Sequence, residues 1–294
     1  MTRLPEWLRR NIPRETSRPT RGVLERYRLN TVCESALCPN RSECWSQRTA
    51  TFMILGDTCT RRCGFCAIQT GRGERVEPDE PERVAAAAEA LELQYVVITS
   101  VARDDLADEG ANHFYHVVRA VKEKIAGVQV EVLTPDFHGR EELIDRVCEA
   151  GPAVYNHNLE TVARLQRQVR PQAGYGRSLE VLRWVKAHRA GICTKSGLML
   201  GLGETEEEVL EAAVDLKEAG CEILTLGQYL PPSEGHLKVV EFIPPEVFYR
   251  LADTIRQMGF REVYAGPYVR SSYHASETFY SASVNVNRES LGHG

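Results

Sequence analysis

From residue 51 onward, short apolar runs alternate with stretches of helical periodicity. TFMILGD (51–57) predicts a first strand, PERVAAAAEALEL (81–93) an alanine-rich helix, and QYVVITSV (94–101) a second strand. HFYHVVRAVKEKI (113–125), REELIDRVCEA (140–150), SLEVLRWVKAHR (178–189) and TEEEVLEAAVDLKEAG (205–220) space their apolar residues as helices with one buried face. VQVEVLTPD (128–136), AVYNHNLE (153–160), GICTKSGLMLGLGE (191–204) and EILTLGQYL (222–230) carry the intervening strands. None of these strands shows the clean alternation of a sheet with one wet face, which predicts strands buried on both sides, as in a parallel sheet. Six such βα repeats close, or nearly close, into a barrel more easily than they lie flat, although periodicity alone does not decide between the two. A further helix (244–259) precedes REVYAGPYVRSSYHASE, to which no element is assigned. The expected organisation is an N-terminal extension (1–50), a repeat region (51–230) and a C-terminal extension (231–294), without internal sequence repeats.

At 294 residues and 43% hydrophobic content, the chain can bury a large core. Barrels of this type run to roughly 250 residues as one unit, so a single domain with extensions is as reasonable as two domains. No apolar run approaches the roughly 20 residues of a membrane helix, and no signal peptide pattern opens the chain. A soluble cytoplasmic protein that acts as a monomer is expected. The net charge of −5 is uneven: residues 1–28 hold eight Arg and three Glu, leaving −10 on the remainder. That balance argues against sequence-independent nucleic-acid binding. The basic start reads as a solvated arm or as a docking surface for an acidic partner, with Arg9, Arg10 and Arg14 at its centre.

Nine cysteines, an odd number, fit poorly with a fully paired disulfide framework, and six of them crowd into residues 33–66. Cys148, Cys193 and Cys221 stand alone in apolar surroundings and read as small buried hydrophobes. The six form two triads: Cys33, Cys38 and Cys44, then Cys59, Cys63 and Cys66 in CTRRCGFC. Structural zinc and ordinary iron–sulfur clusters take four ligands, and each run stops at three. The second triad directly follows the first strand, at the end where parallel α/β folds place their active sites. Three thiolates around a four-iron cubane leave one iron open to a small chelating molecule. A zinc knuckle or a redox dithiol is the alternative.

CTRRCGFC resembles the C-x3-C-x2-C signature of the radical S-adenosylmethionine enzymes, including the aromatic Phe65 before the last cysteine. The resemblance implies a partial (β/α)6 TIM-type barrel in which the amino and carboxylate groups of S-adenosylmethionine bind the open iron and an electron from the cluster releases a 5′-deoxyadenosyl radical. NHNLE (156–160) is similar to a segment of biotin synthase that holds the ribose hydroxyls, which implies that role for Asn158 and Glu160. The same likeness implies Arg177 against the cofactor carboxylate. Thr99 and Ser100, ending the second strand, are candidates for the methionyl amine, and Lys195 for a cofactor contact.

The two triads together resemble the lipoyl synthase family, as do, in order, LPEWLRRNIP, CESALCPNRSECW, ITSVARDDLADEGA, SGLMLGLGET, LTLGQYLPPS and GPYVRSSYHA. The likeness covers nearly the whole chain. Gly64 and Ala67 depart from it, where the family often has Pro and an acidic residue, which puts only local loop detail in question. The resemblance implies a second [4Fe–4S] cluster on Cys33, Cys38, Cys44 and a serine oxygen of RSSYHA, carried over to Ser272. Arg270 is implied as a charge partner near the clusters, and Ser271 is not excluded by sequence logic. The implied reaction inserts sulfur at C6 and C8 of an octanoyl group on a lysine of a lipoyl carrier domain, consuming two S-adenosylmethionine molecules and sulfur from the second cluster. The resemblance further implies 2-oxoacid dehydrogenase E2 subunits and the glycine cleavage H protein as carriers, and a reductant such as a ferredoxin or flavodoxin. Hydrogen-atom abstraction needs no general base, so His157 and His274 are expected to be structural.

Overall fold

A computed structural model describes residues 4–9 and 18–291, with side chains through 284. Arg3, Arg10 and Arg14 of the basic start lie outside the described residues. The strands are β1 (Asn30–Thr31), β2 (Thr51–Ile54), β3 (Thr58–Cys59), β4 (Gln69–Thr70), β5 (Tyr95–Ser100), β6 (Gln129–Leu133), β7 (Val154–Asn156), β8 (Cys193–Leu200), β9 (Ile223–Gln228) and β10 (Glu262–Gly266). The helices of eight or more residues are α1 (Arg18–Arg26), α4 (Glu80–Ala90), α5 (Ala111–Lys124), α6 (Glu141–Glu149), α8 (Tyr175–His188), α9 (Glu206–Glu218), α10 (Pro245–Arg256) and α11 (Ala275–Leu291). Three short helices complete the numbering: α2 (Val32–Ser35), α3 (Arg41–Ser46) and α7 (Gln166–Val169).

The main sheet runs β1-β2-β5-β6-β7-β8-β9-β10, and every pair except β1–β2 is parallel. Each parallel strand lies beside its predecessor in sequence. Because βα crossovers are right-handed, an unreversed order sends every connecting helix to the same face. Successive helices then pack side by side, α4 on α5, α5 on α6, α6 on α8, α8 on α9 and α9 on α10. That is the partial-barrel arrangement, with β1 and β10 as the edges of the hydrogen-bonded order. The predicted mostly parallel α/β fold and all six of its expected strands are present.

Strand period sorts the side chains. Val96 and Ile98 join the core beneath the outer helices, whereas Tyr95, Val97 and Thr99 point to the other face. Deep on that inner face lie Glu131 and Lys195, almost fully buried and paired at 2.9 Å. Tyr95 Oη and Asn156 Nδ2 donate to the same carboxylate at 2.7 and 2.8 Å. With the Lys195 ammonium and both Glu131 oxygens partnered, the buried charges avoid the penalty of an unpaired ion.

Besides the short elements of the N-terminal extension and the cysteine loop, two C-terminal elements were not predicted. β10 extends the sheet by a seventh parallel strand, and α11 folds back so that Phe279 and Ala282 cover Val154, Cys193 and Ile223 at the starts of their strands. The segment 267–274 between them therefore runs across the sheet near the strand tips. Cys148, Cys193 and Cys221 are buried, as expected. No helix among the described residues is long and apolar enough to cross a membrane.

Candidate metal centre at the strand tips

β2 ends at Ile54, and the chain turns out through Leu55 in left-handed backbone (φ 68°) into the loop that carries Cys59, Cys63 and Cys66. The short parallel pair β3–β4 and the Gly71 N–H, which donates to the Cys59 carbonyl at 2.9 Å, close this loop on itself. The segment after β5 runs alongside. Ala102 N–H donates to Cys59 Sγ at 3.3 Å, and the Ala102 carbonyl accepts from Thr60 N–H at 3.0 Å. Asp104 grips Arg61 through both carboxylate oxygens, and Asp136 meets the same guanidinium at 2.7 Å. Arg61 is 6% exposed, and its charge holds the Asp136 carboxyl down at about 2 against the burial that would raise it.

Burial pushes the Cys66 thiol up to about 12 and raises Cys63, with Arg170 pulling Cys63 back. In the upstream triad burial lifts Cys33 to about 11 and Cys44 to about 12, and the neighbouring thiols of each triad add to the effect. All six are free thiols. A thiol so raised becomes a thiolate ligand only beside compensating positive charge, which cluster iron supplies. Two sets of three free thiols thus fit thiolate-bound clusters.

The whole upstream set and Cys66 of the downstream set line one cavity of about 240 Å3, together with Asn158 and Ser272; Cys59 and Cys63 do not line it. Phe65, Glu160 and Arg270 line it too. Glu160 stands just beyond β7 at φ 69°, fixed there by its N–H to the Gly197 carbonyl at 2.8 Å and by its own carbonyl to Met199 N–H at 2.9 Å. Backbone strain of this kind collects at sites where a side chain must be aimed. Asn158 Nδ2 donates to Glu160 Oε1 at 3.0 Å and also meets Ser271 Oγ at 2.6 Å. Burial raises the Glu160 carboxyl, with Arg170 opposing.

The remaining sequence candidates are placed as follows. Ser100 Oγ, at the tip of β5, is buried without a hydrogen-bond partner among the described residues, whereas Thr99 Oγ1 is committed to the Leu133 carbonyl at 2.9 Å. An orphaned buried hydroxyl beside the cysteine loop fits a cofactor contact. Arg177 pairs with Asp136 at 3.2 Å, and Lys195 is held by Glu131 inside the sheet; neither lines the cavity. His157 is buried, with Nδ1 donating to the Thr134 carbonyl at 2.9 Å and Nε2 accepting from Ser178 Oγ at 3.0 Å. Burial drives it down to about 4, so it stays neutral and structural, as expected.

Sequence reasoning missed Arg170, whose Nη1 donates to the Asn158 carbonyl at 2.8 Å and the Leu159 carbonyl at 3.2 Å and so pins the NHNLE segment. It also missed the grip between the chain's two ends. Asn40 Nδ2, between Cys38 and Cys44, donates to the Tyr268 carbonyl at 2.6 Å, and Tyr273 Oη donates to Glu43 at 2.8 Å. His274 Nε2 lies 3.9 Å from the same Glu43. Gly227 permits the tail's approach: a Cβ there would fall 2.0 Å from the Val269 carbonyl oxygen. Asn40 and Glu43, three residues apart within a cysteine-rich run, were the local signal.

A partial barrel with a three-cysteine loop at its strand tips defines a radical S-adenosylmethionine enzyme, and residues 53–216 match the Radical SAM superfamily. Superfamily membership brings S-adenosylmethionine and a [4Fe–4S] cluster. The fold is similar to that of Streptococcus suis SuiB bound to S-adenosylmethionine, with TM-score 0.57 at 13% identity over 77% of this chain and 53% of that one. The chain is 55% identical to a lipoyl synthase of Rhodopirellula baltica over 94% of its length and 88% of that protein's. It is 52% identical to a lipoyl synthase of Thermus thermophilus over 95% of its length and 87% of that protein's. This chain belongs to the lipoyl synthase family.

Proposed function

We propose that the sulfur this family member inserts into a protein-bound octanoyl group comes from a second [4Fe–4S] cluster held by Cys33, Cys38, Cys44 and Ser272. Cys59, Cys63 and Cys66 hold the first. The enzyme is a radical S-adenosylmethionine sulfurtransferase acting on octanoylated carrier protein. When bound, the first cluster and S-adenosylmethionine supply the 5′-deoxyadenosyl radical that takes hydrogen from C6 and C8, two cofactor molecules serving each lipoyl group.

The observation that carries the reading is the contact between chain ends. Asn40–Tyr268 and Tyr273–Glu43 tie the tail to the segment bearing the upstream triad and put Ser272 on the cavity wall it shares with Cys33, Cys38 and Cys44. The Ser271 hydroxyl, by contrast, is engaged with Asn158. A hard serine oxygen is a weaker partner for cluster iron than thiolate, which suits a cluster that must open and yield sulfur.

The other residues orient and enclose. Asn158 and Glu160 present an amide and a carboxylate that suit a ribose diol, with Arg170 holding their segment and Ser100 offering its hydroxyl to the methionyl amine. Arg270, whose charge acts on Glu160, balances the cavity's acidic side. The carbon to be sulfurated must lie between the two triads for one radical to reach it and one sulfur to join it. The domain division 1–50, 51–230 and 231–294 then assigns the second cluster to the extensions and the radical chemistry to the repeats. E2 subunits and the H protein as carriers, a ferredoxin or flavodoxin reductant, monomeric action and a cytoplasmic setting complete the reading.

The test is iron and sulfide counting together with product analysis on an octanoylated carrier domain. The intact chain should carry about eight irons and yield thiolated octanoyl. Loss of Cys33, Cys38 and Cys44 should leave about four irons and reductive S-adenosylmethionine cleavage, but no thiolated product. A full complement of iron in that variant would overturn the assignment.

A further inference from the structure

The cysteine loop leaves the sheet at Leu55 and is back beside it by Gly73, and one side chain touches both ends. Arg103, just past the tip of β5, is 2% exposed. Its Nη1 donates to the Leu55 carbonyl at 3.3 Å, where the loop departs in left-handed backbone. Gly73, where the loop returns, lies so close that a Cβ there would stand 2.4 Å from Arg103 Nε and 2.5 Å from Cζ. The guanidinium is itself fixed by a two-point bond to Asp105, Nε to Oδ1 at 2.8 Å and Nη2 to Oδ2 at 3.0 Å. A planar fork held this way cannot be mimicked by lysine.

The Leu55 peptide is gripped on its other side as well. Its N–H donates to Glu80 Oε2 at 3.0 Å, and His113 Nε2 lies 2.6 Å from that same oxygen. Between the anchored ends, Ala102 and Asp104 contact Cys59, Thr60 and Arg61. The run 102–105 therefore meets the loop at its departure, its first cysteine and its return.

We propose that Arg103 is a positioning residue that joins the two ends of loop 55–73 and so sets how Cys59, Cys63 and Cys66 are presented above the sheet. The proposal rests on the reading that these three cysteines bind the radical-generating cluster. Arg103 does not touch the cofactor. It acts through the backbone at Leu55 and Gly73, so its loss loosens the loop without removing a ligand.

Two measurements separate the parts. In metal-free full-length protein, trypsin cleavage after Arg62 and Arg72 reports loop opening by mass spectrometry. Arg103→Ala should speed cleavage at both sites about tenfold or more, because a buried charged hydrogen bond is lost and cleavage follows the open population. Arg103→Lys should fall between it and the parent chain. Should Arg103→Ala fail to fold, Asp105→Asn, which frees the fork and keeps the arginine, should show the same increase. Unchanged cleavage in Arg103→Ala, or in Asp105→Asn where that variant stands in, overturns the proposal. For the second measurement, the cluster is reconstituted in a chain lacking Cys33, Cys38 and Cys44. About four irons there bear out the ligand reading on their own. In that background Arg103→Lys should keep its iron while the cluster's electron paramagnetic resonance spectrum and S-adenosylmethionine affinity shift. An unaltered spectrum and affinity also count against a positioning role.

Discussion

The two cysteine triads are built by different means. The downstream triad sits on a loop gripped by its own neighbourhood, with Arg103, Ala102 and Asp104 at the tip of β5 and the β3–β4 pair closing it. The upstream triad stands on α2, α3 and their connection, outside the parallel repeats, and leans on residues 268–274 from the far end of the chain. One site is part of the sheet's framework. The other is a seam between the chain's two ends, and a seam can loosen while the sheet stays folded, since local opening is cheapest where few buried contacts resist it. A cofactor retained through every turnover fits the framework site, and a cluster that is spent and renewed fits the seam.

Removing each set of thiols tests that contrast most severely. Cys59, Cys63 and Cys66 changed together to Ala should abolish both reductive S-adenosylmethionine cleavage and product, leaving about four irons on the upstream triad. Cys33, Cys38 and Cys44 changed to Ala should abolish product alone. Identical losses in both variants would erase the distinction.

A smaller effect is expected from Gly227→Ala. The new methyl meets the Val269 carbonyl oxygen at 2.0 Å, a backbone atom that can retreat only by moving the tail. Overpacking of this kind costs about 1–3 kcal/mol, and the cost falls on the segment carrying Arg270 to Ser272. Upstream iron should fall with the downstream cluster intact, as read by iron counting and by S-adenosylmethionine cleavage.

Acid should act on the framework through His157. His157 is the second residue of the NHNLE segment, and burial drives its ring down to about 4 from the usual 6.5. Between these values the unfolded chain binds a proton that the folded chain refuses, so stability is full above about pH 6.5 and declines as the pH falls toward 4. The decline is about 2 kcal/mol from pH 6.5 to pH 5. Asp136, held at about 2, contributes only below the ordinary carboxylate value of 3.8 and stays out of this window. Thermal melting of the metal-free parent and His157→Gln chains should differ by this slope; the raised Glu160 carboxyl works in the opposite direction and is common to both.

How much was visible beforehand follows from the same contrast. The six repeat strands announced themselves because strands buried on both faces are written as unbroken apolar runs, and the cysteine spacing marked both triads. β10 escaped because an edge strand is half exposed, alternating buried Val263 with partly exposed Glu262 and Tyr264. α11 escaped because its Ser, Thr, Asn and Val residues are weak helix formers; its order comes from Phe279 and Ala282 packing on the sheet. Arg61, Arg103 and Arg170 were invisible as buried groups, since arginine is ordinarily a surface residue. For Arg61 and Arg103 the partners at Asp104 and Leu55 lie over forty residues away in sequence. Asn40, Glu43 and Tyr273 were hidden for the same reason, on a larger scale.

Tyr273→Phe is the mildest and most pointed probe of the seam. The change keeps the ring, and with it the stacking on Tyr264 at 6.4 Å, and deletes only the hydroxyl that donates to Glu43 at 2.8 Å. Glu43 is adjacent to Cys44, so the lost bond acts on the helix that carries this cysteine and not on the sheet. Because the carboxylate is partly solvated, the loss should be about 1 kcal/mol, or roughly fivefold in the opening equilibrium. A chelator should therefore strip upstream iron from this variant roughly fivefold faster than from the parent chain. Melting temperature and S-adenosylmethionine cleavage should not change, because neither depends on contact between the chain's ends. Equal stripping rates would mean that the upstream triad is held by its own short helices, and the seam would cease to explain why that cluster can be given up.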